Sequence, residues 1–216
     1  MTSSNEWVGE IKRRLNELAD RVQLVVDRST RAFFAGDKKV ALEVMEQEEL
    51  LDRMEVQLEE YAISILEKEK PEGYYLRFLI SALKINNDLE RMGDLAVDIS
   101  SVTLQLGKID PDAFPPMLRL MIDRARHLHR NGLKAMLTED IGIAIQVRGE
   151  DVVIDRYARE ITAELGERGM ADPAEVPRIL NILIVVRAVE RIADLATNIA
   201  EDIIYLVEGT IVRHSG

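Results

Sequence analysis

Two long stretches of this chain carry the same apolar seam, one hundred positions apart. Ile182, Val185, Val189, Ile192, Ala196, Ile199, Ile203 and Leu206 are spaced 3-4-3-4-3-4-3. Ala82, Ile85, Leu89, Met92, Ala96, Ile99, Thr103 and Leu106 repeat that spacing, and only Thr103 among them is polar. A 3-4 stripe is the packing face of a helix in a bundle, whereas a half-buried strand alternates every second residue. Equal seams at a fixed offset indicate an internal duplication. Glu90, Arg91, Asp94, Leu95, Ala96 and Ile99 are matched by Glu190, Arg191, Asp194, Leu195, Ala196 and Ile199, six identities in the eleven positions 89–99. About one would arise by chance at ordinary residue frequencies.

The rest of the 216 residues divides at breakers: Gly36-Asp37, Pro71 to Gly73, Gly107 to Pro116, Thr138 to Asp140 and Gly166 to Pro177. Between them the sequence has helical periodicity. Helices are predicted over 4–35, 38–69, 73–106, 112–137, 140–166 and 175–208, with Asp37, Asp110 and Asp172 placed to cap helix starts. Aromatic residues are only 5%, which favours helices over a sandwich or barrel. The expected fold is all-α: two tandem three-helix bundles (1–108 and 109–216) related by duplication. The long helices would pack lengthwise, with Gly107 to Pro116 as the linker.

Composition removes several function classes. A net charge of −11 opposes binding to nucleic acid or to an anionic membrane surface. The absence of Cys excludes disulfides, thiolate metal sites and thiol nucleophiles. The longest strongly apolar run, Ile182 to Val186, is far short of the roughly 18 residues a membrane helix needs. The segment Met1 to Gly9 is polar and carries Glu6, unlike a secretory signal, so a soluble cytoplasmic protein is expected. There is no GxxxxGK[ST] phosphate loop, and nothing places a Ser beside a His. His127 and His129, two apart, do not share a helix face, and His214 sits near the chain end. Met45, Met54, Met92, Met117, Met121 and Met136 read as core filler. Trp7, Phe33-Phe34 and Tyr74-Tyr75 read as closures of bundle ends.

Carboxylates four apart share a helix face and repel each other. This chain repeats the pattern: Glu48/Asp52, Glu90/Asp94, Asp151/Asp155 and Glu190/Asp194, with Asp98 extending the third-helix face. The first and third of these pairs are offset by 103, which a three-residue loop difference explains. One such pair is ordinary on a solvated helix. Four at duplicated positions would converge in each half if their helices are neighbours, and such a cluster needs compensation. A cation supplies it, and an all-oxygen site suits Mg²⁺, Ca²⁺, Mn²⁺ or ferric iron. Arg91 and Arg191 offer the other compensation, by pairing with carboxylates of a neighbouring helix.

Asn87-Asp88-Leu89-Glu90-Arg91-Met92-Gly93-Asp94-Leu95-Ala96-Val97-Asp98-Ile99 resembles the third-helix signature of the PhoU family. Val189-Glu190-Arg191-Ile192-Ala193-Asp194-Leu195-Ala196-Thr197-Asn198-Ile199-Ala200-Glu201 resembles its repeat in the sixth helix. The ending Ile203 to Gly209 is similar as well, and the likeness spans essentially the whole chain. It implies a cytoplasmic regulator of phosphate uptake and of the phosphate-starvation response. Such a protein links the ATPase subunit of the phosphate ABC transporter to a sensor histidine kinase and favours repression when phosphate is plentiful. It further implies a homodimer and metal binding through E/D-x-x-x-D motifs, here the four pairs above. Many members have His after the motif Asp; this chain has Leu95 and Leu195, which favours Mg²⁺ or Ca²⁺ over a transition metal. Asp98, where Asn is common, adds charge to the first site.

Two other classes compete with this regulator. One is a carboxylate-bridged metalloenzyme of helical-bundle type, which normally uses Glu-x-x-His pairs; this chain has none. The other is a purely structural helical adaptor without any ion.

Overall fold

The computed structural model describes residues 2–210, with side chains 2–5 and 112 outside the description. His214 lies outside the described residues. Every regular element among those residues is helical: α1 (Thr2–Ala35), α2 (Lys38–Met45), α3 (Glu48–Glu69), α4 (Tyr74–Leu106), α5 (Pro116–Thr138), α6 (Ile141–Ala171) and α7 (Val176–Glu208). Short 3₁₀ turns at Pro111–Ala113 and Pro173–Glu175 precede α5 and α7.

The seams decide the packing. All eight seam residues of α7 are buried, and so are those of α4 except the half-buried Leu106. Equivalent helices meet antiparallel. Between α4 and α7, Ser81 Oγ donates to the Asp202 carbonyl, and the Arg77 side chain reaches the Leu206 carbonyl. Between α1 and α5, Lys12 pairs with Glu139 and Asp27 with Arg126. Antiparallel contact between matching helices relates the first half (α1–α4, with α2 and α3 together matching α6) to the second (α5–α7) by an approximate twofold rotation. The halves share one continuous apolar core. At Gly132 a Cβ would meet the Ala196 carbonyl oxygen at 3.2 Å, so the missing side chain lets α5 approach α7.

The helix starts are chemical. Asp37 accepts from Val40 N–H at 3.1 Å, and Asp140 accepts from Ile143 N–H at 3.1 Å. Asp172 caps the turn before α7 through Ala174 N–H, and Asp110 precedes the turn before α5. Trp7 packs against Tyr75 and Phe78, while Phe33, Phe34 and Phe114 close the opposite region as a three-ring cluster.

Three boundaries differ from the sequence expectation. The second segment, expected over 38–69, divides at Glu46-Gln47. There Glu46 N–H is shared between the Leu42 and Val44 carbonyls, and Gln47 N–H turns back to Val44. No Gly or Pro marks this break. The fifth, expected to stop at 166, runs to Ala171 through Gly166 and Gly169. A helical glycine costs about 1 kcal/mol relative to Ala but ends nothing, whereas Pro173 removes a donor and does. The fourth begins at Pro116 rather than 112, with proline at the first helical position.

Candidate metal centre

Two carboxylate clusters lie at matching places in the halves. In the first, Asp52 from α3 meets Glu90 and Asp94 from α4, with one oxygen of each within 4.8 Å of the others. In the second, Asp151 and Asp155 from α6 meet Asp194 from α7 within the same limit. The helix pairing explains this. The buried stripe of α4 (Leu89, Met92, Ala96) turns Glu90 and Asp94 toward its flank, where α3 lies. In α7, Val189, Ile192 and Ala196 do the same for Glu190 and Asp194 beside α6. Gly93 assists: a Cβ there would lie 2.6 Å from Leu51 Cδ1, so glycine lets α3 sit close.

The expected residues are not all gathered. Glu48, at the exposed first turn of α3, is outside the first triad; the break at 46–47 leaves it at the helix end. Asp98 is exposed one turn beyond Asp94 and adds repulsion to it. Glu190 stands beside the second triad, close enough to feel Asp155 and Asp194. Glu55, which the sequence pattern did not single out, stands beside the first triad. Its half-buried carboxyl accepts from Asn86 Nδ2 at 3.3 Å and raises the pKa of Glu90. It lies three residues after Asp52, a spacing that shares a face as well as four does.

Among the described residues Arg191 makes no ion pair to a neighbouring helix, contrary to the expectation. Its Nη1 lies 3.3 Å from Asp194 Oδ2 on its own helix, one turn on. Arg91 is exposed and only weakly offsets the charge of Glu90 and Asp94.

Burial, and then mutual repulsion, raise the proton affinity of several of these groups. Burial first, then Asp94, Glu55 and Asp52, push Glu90 up to about 7. Burial, then Asp194, Asp155 and Glu190, push Asp151 up to about 6. Asp94, Asp194, Glu190 and Glu55 are raised too, each chiefly by burial. Asp151 Oδ1 is buried without a hydrogen-bond partner among the described residues.

The donor set fits a hard cation. Oxygens on opposite sides of a Mg²⁺ ion are about 4.2 Å apart and of a Ca²⁺ ion about 4.6–5.2 Å apart, from the usual bond lengths. Spacings within 4.8 Å therefore need little adjustment. A bound cation would give the orphaned Asp151 oxygen a partner and turn mutual repulsion into shared attraction. His127 and His129 stand apart from both clusters. His127 is exposed beside Asn131, and His129 is fully buried, with both ring nitrogens unpartnered and its pKa pushed down to about 4.

Known proteins match the chain along nearly its whole length. The sequence model of the PhoU domain matches twice, over residues 15–103 and 118–203. A Pseudomonas putida protein described as a phosphate-specific transport system accessory protein PhoU homolog is 34% identical over 98% of this chain and 83% of its own length. Its Pseudomonas aeruginosa counterpart is 32% identical over 98% of this chain and 88% of its own. The crystal structure of PhoU from Pseudomonas aeruginosa superimposes with a TM-score of 0.90 at 30% identity, covering 95% of this chain and 99% of that one. The phosphate transport system regulatory protein PhoU from Streptococcus pneumoniae superimposes with a TM-score of 0.88 at 25% identity, covering 97% and 99%.

Proposed function

The chain belongs to the PhoU family, and from that premise we propose that it is a non-enzymatic, cytoplasmic regulator of phosphate uptake and phosphate-starvation signalling. It links the ATPase subunit of a phosphate ABC transporter to a sensor histidine kinase and favours repression when phosphate is plentiful. It works as a homodimer. The relatives' description as accessory proteins of phosphate-specific transport supports the transporter half of this reading. No helix among the described residues is long and apolar enough to cross a membrane, which fits a protein that meets membrane partners from one side.

The observation that carries the mechanism is the recurrence of a carboxylate cluster at the same place in both halves. Asp52, Glu90 and Asp94 hold one hard cation, and Asp151, Asp155 and Asp194 hold another, with Glu55 and Glu190 within reach as further oxygens. The cation supplies positive charge that clamps α3 to α4 and α6 to α7. Without it, ionised carboxylates push the same helices apart. Metal loading therefore sets the stiffness of the outer helices that partners dock on.

The test is alkaline phosphatase activity in phosphate-replete cells of the source organism lacking the gene. High activity in the deletion, returned to low by the intact gene but not by the Asp94→Asn/Asp194→Asn variant, is expected. Low activity in a deletion that also lacks any paralogue would overturn the regulatory reading.

A further inference from the structure

A basic pocket lies where the two halves meet, away from both carboxylate clusters. It is an open cavity of about 350 Å³ between the end of α1 and the start of α5, and Arg31, Arg119 and Arg126 line it with Phe34 and Asp123. Neither α1 nor α5 carries a residue of either triad.

The three guanidiniums differ in state. Arg126 is fixed: its side chain is 14% exposed, Nε donates to Asp27 Oδ1 at 2.5 Å, and Nη1 lies 3.6 Å from Asp123. The Arg119 guanidinium carbon sits over the Phe34 ring, 4.1 Å from its centroid, so an aromatic surface rather than a carboxylate holds it. Arg31 and Arg119 have no carboxylate partner among the described residues. They leave this concavity locally basic in a chain whose net charge is −11.

The duplication provides an internal control. Asp37 and Asp140 cap equivalent helices, so residues of α5 follow their α1 counterparts by 103 positions. The positions matching Arg31, Arg119, Arg126 and Asp123 hold Lys134, Asn16, Gln23 and Asp20. The four matched positions thus carry one cation instead of three, and Lys12 beside them is paired with Glu139. Arg126 ties α5 to α1 through Asp27, but neither Arg31 nor Arg119 makes such a tie among the described residues.

We propose that this pocket binds a phosphoryl dianion, with Arg31 and Arg119 as the clamp and Arg126 as its fixed wall. Guanidinium forks match the paired oxygens of a phosphoryl group and stay charged at every physiological pH. The cavity is roomier than one phosphate ion, so the group can arrive free or on a small organic ester. This site stands apart from the metal reading and survives its failure.

The test follows arginine Nε–Hε signals by NMR in excess chelator at constant ionic strength. Inorganic phosphate and phenyl phosphate are the probes, and chloride is the control. Saturable shifts with at least one probe are expected, at least tenfold weaker binding in Arg31→Gln/Arg119→Gln, and unchanged binding in Lys134→Gln. Response to phosphate alone assigns the free ion, and response to phenyl phosphate alone assigns an ester. No saturable shift with either probe would overturn the proposal. So would the same shift with chloride, or equal weakening in Lys134→Gln. Both exchanged arginines are surface-exposed, and circular dichroism confirms that the double variant keeps its helices.

Discussion

Replacing Asp151 by Asn should stabilise the metal-free protein and deprive the metal-loaded one of its gain. Asp151 has its pKa raised from 3.8 to about 6 by burial and by the carboxylates around it. The folded state therefore binds more protons than the unfolded state between those values, and stability falls as pH rises through that window. The shift corresponds to an upper bound of about 3 kcal/mol at 1.36 kcal/mol per unit. Asp151 is only half-buried, and solvent screening reduces this to about 1–2 kcal/mol. Asn keeps the shape and removes the charge. Urea unfolding in excess chelator should then show Asp151→Asn more stable by that amount at pH 7.5 and equal to wild type near pH 3.5, where the acid is neutral. Saturating cation inverts the order, because a ligand at 100 times its Kd adds about 2.7 kcal/mol to the protein that binds it. A variant less stable than wild type in chelator at pH 7.5, or a difference independent of pH, would refute the repulsion argument.

Three further outcomes follow from single contacts. Gly36→Ala should destabilise by about 3 kcal/mol or more in urea unfolding, because φ is +63° and the new Cβ would sit 2.4 Å from Lys108 Cα, a backbone atom. Lys84→Met should cost about 1–3 kcal/mol by removing the ammonium that lies 2.6 Å from the buried Asp202 carboxylate; Lys84→Met/Asp202→Asn should recover part of that. Phe114→Ala should lower stability by about 3–5 kcal/mol, since Phe114 packs edge-on against both Phe33 and Phe34; a loss below 1 kcal/mol would contradict that packing.

Much of this molecule was legible because its signals are periodic. The 3-4 seams of α4 and α7 and the repeated Glu90/Asp94 and Glu190/Asp194 pairs are local patterns, and a helix converts local spacing into a face. Features that depend on context were hidden. The break at Glu46-Gln47 carries no breaker residue, and its place is visible only in the turn bonds to Leu42 and Val44. Gly166 resembled a stop, but Pro173 sets the end of α6. Glu55 follows Asp52 at i,i+3, outside the i,i+4 pattern that marks the other carboxylates, although both spacings share a helix face. The basic pocket joins Arg31 to Arg119 across the antiparallel α1–α5 contact, and no sequence window contains both. Lys84 and Asp202 meet for the same reason, across α4 and α7.

The most direct measurement is the cation content of the purified protein by native mass spectrometry, after titration with Mg²⁺, Ca²⁺, Mn²⁺ and iron in turn. The account predicts up to two cations per chain for at least one of these ions. One should be lost in Asp94→Asn, one in Asp194→Asn, and both in the double variant, with helicity unchanged. Absence of specific binding in the wild type, or full content in the double variant, would contradict it.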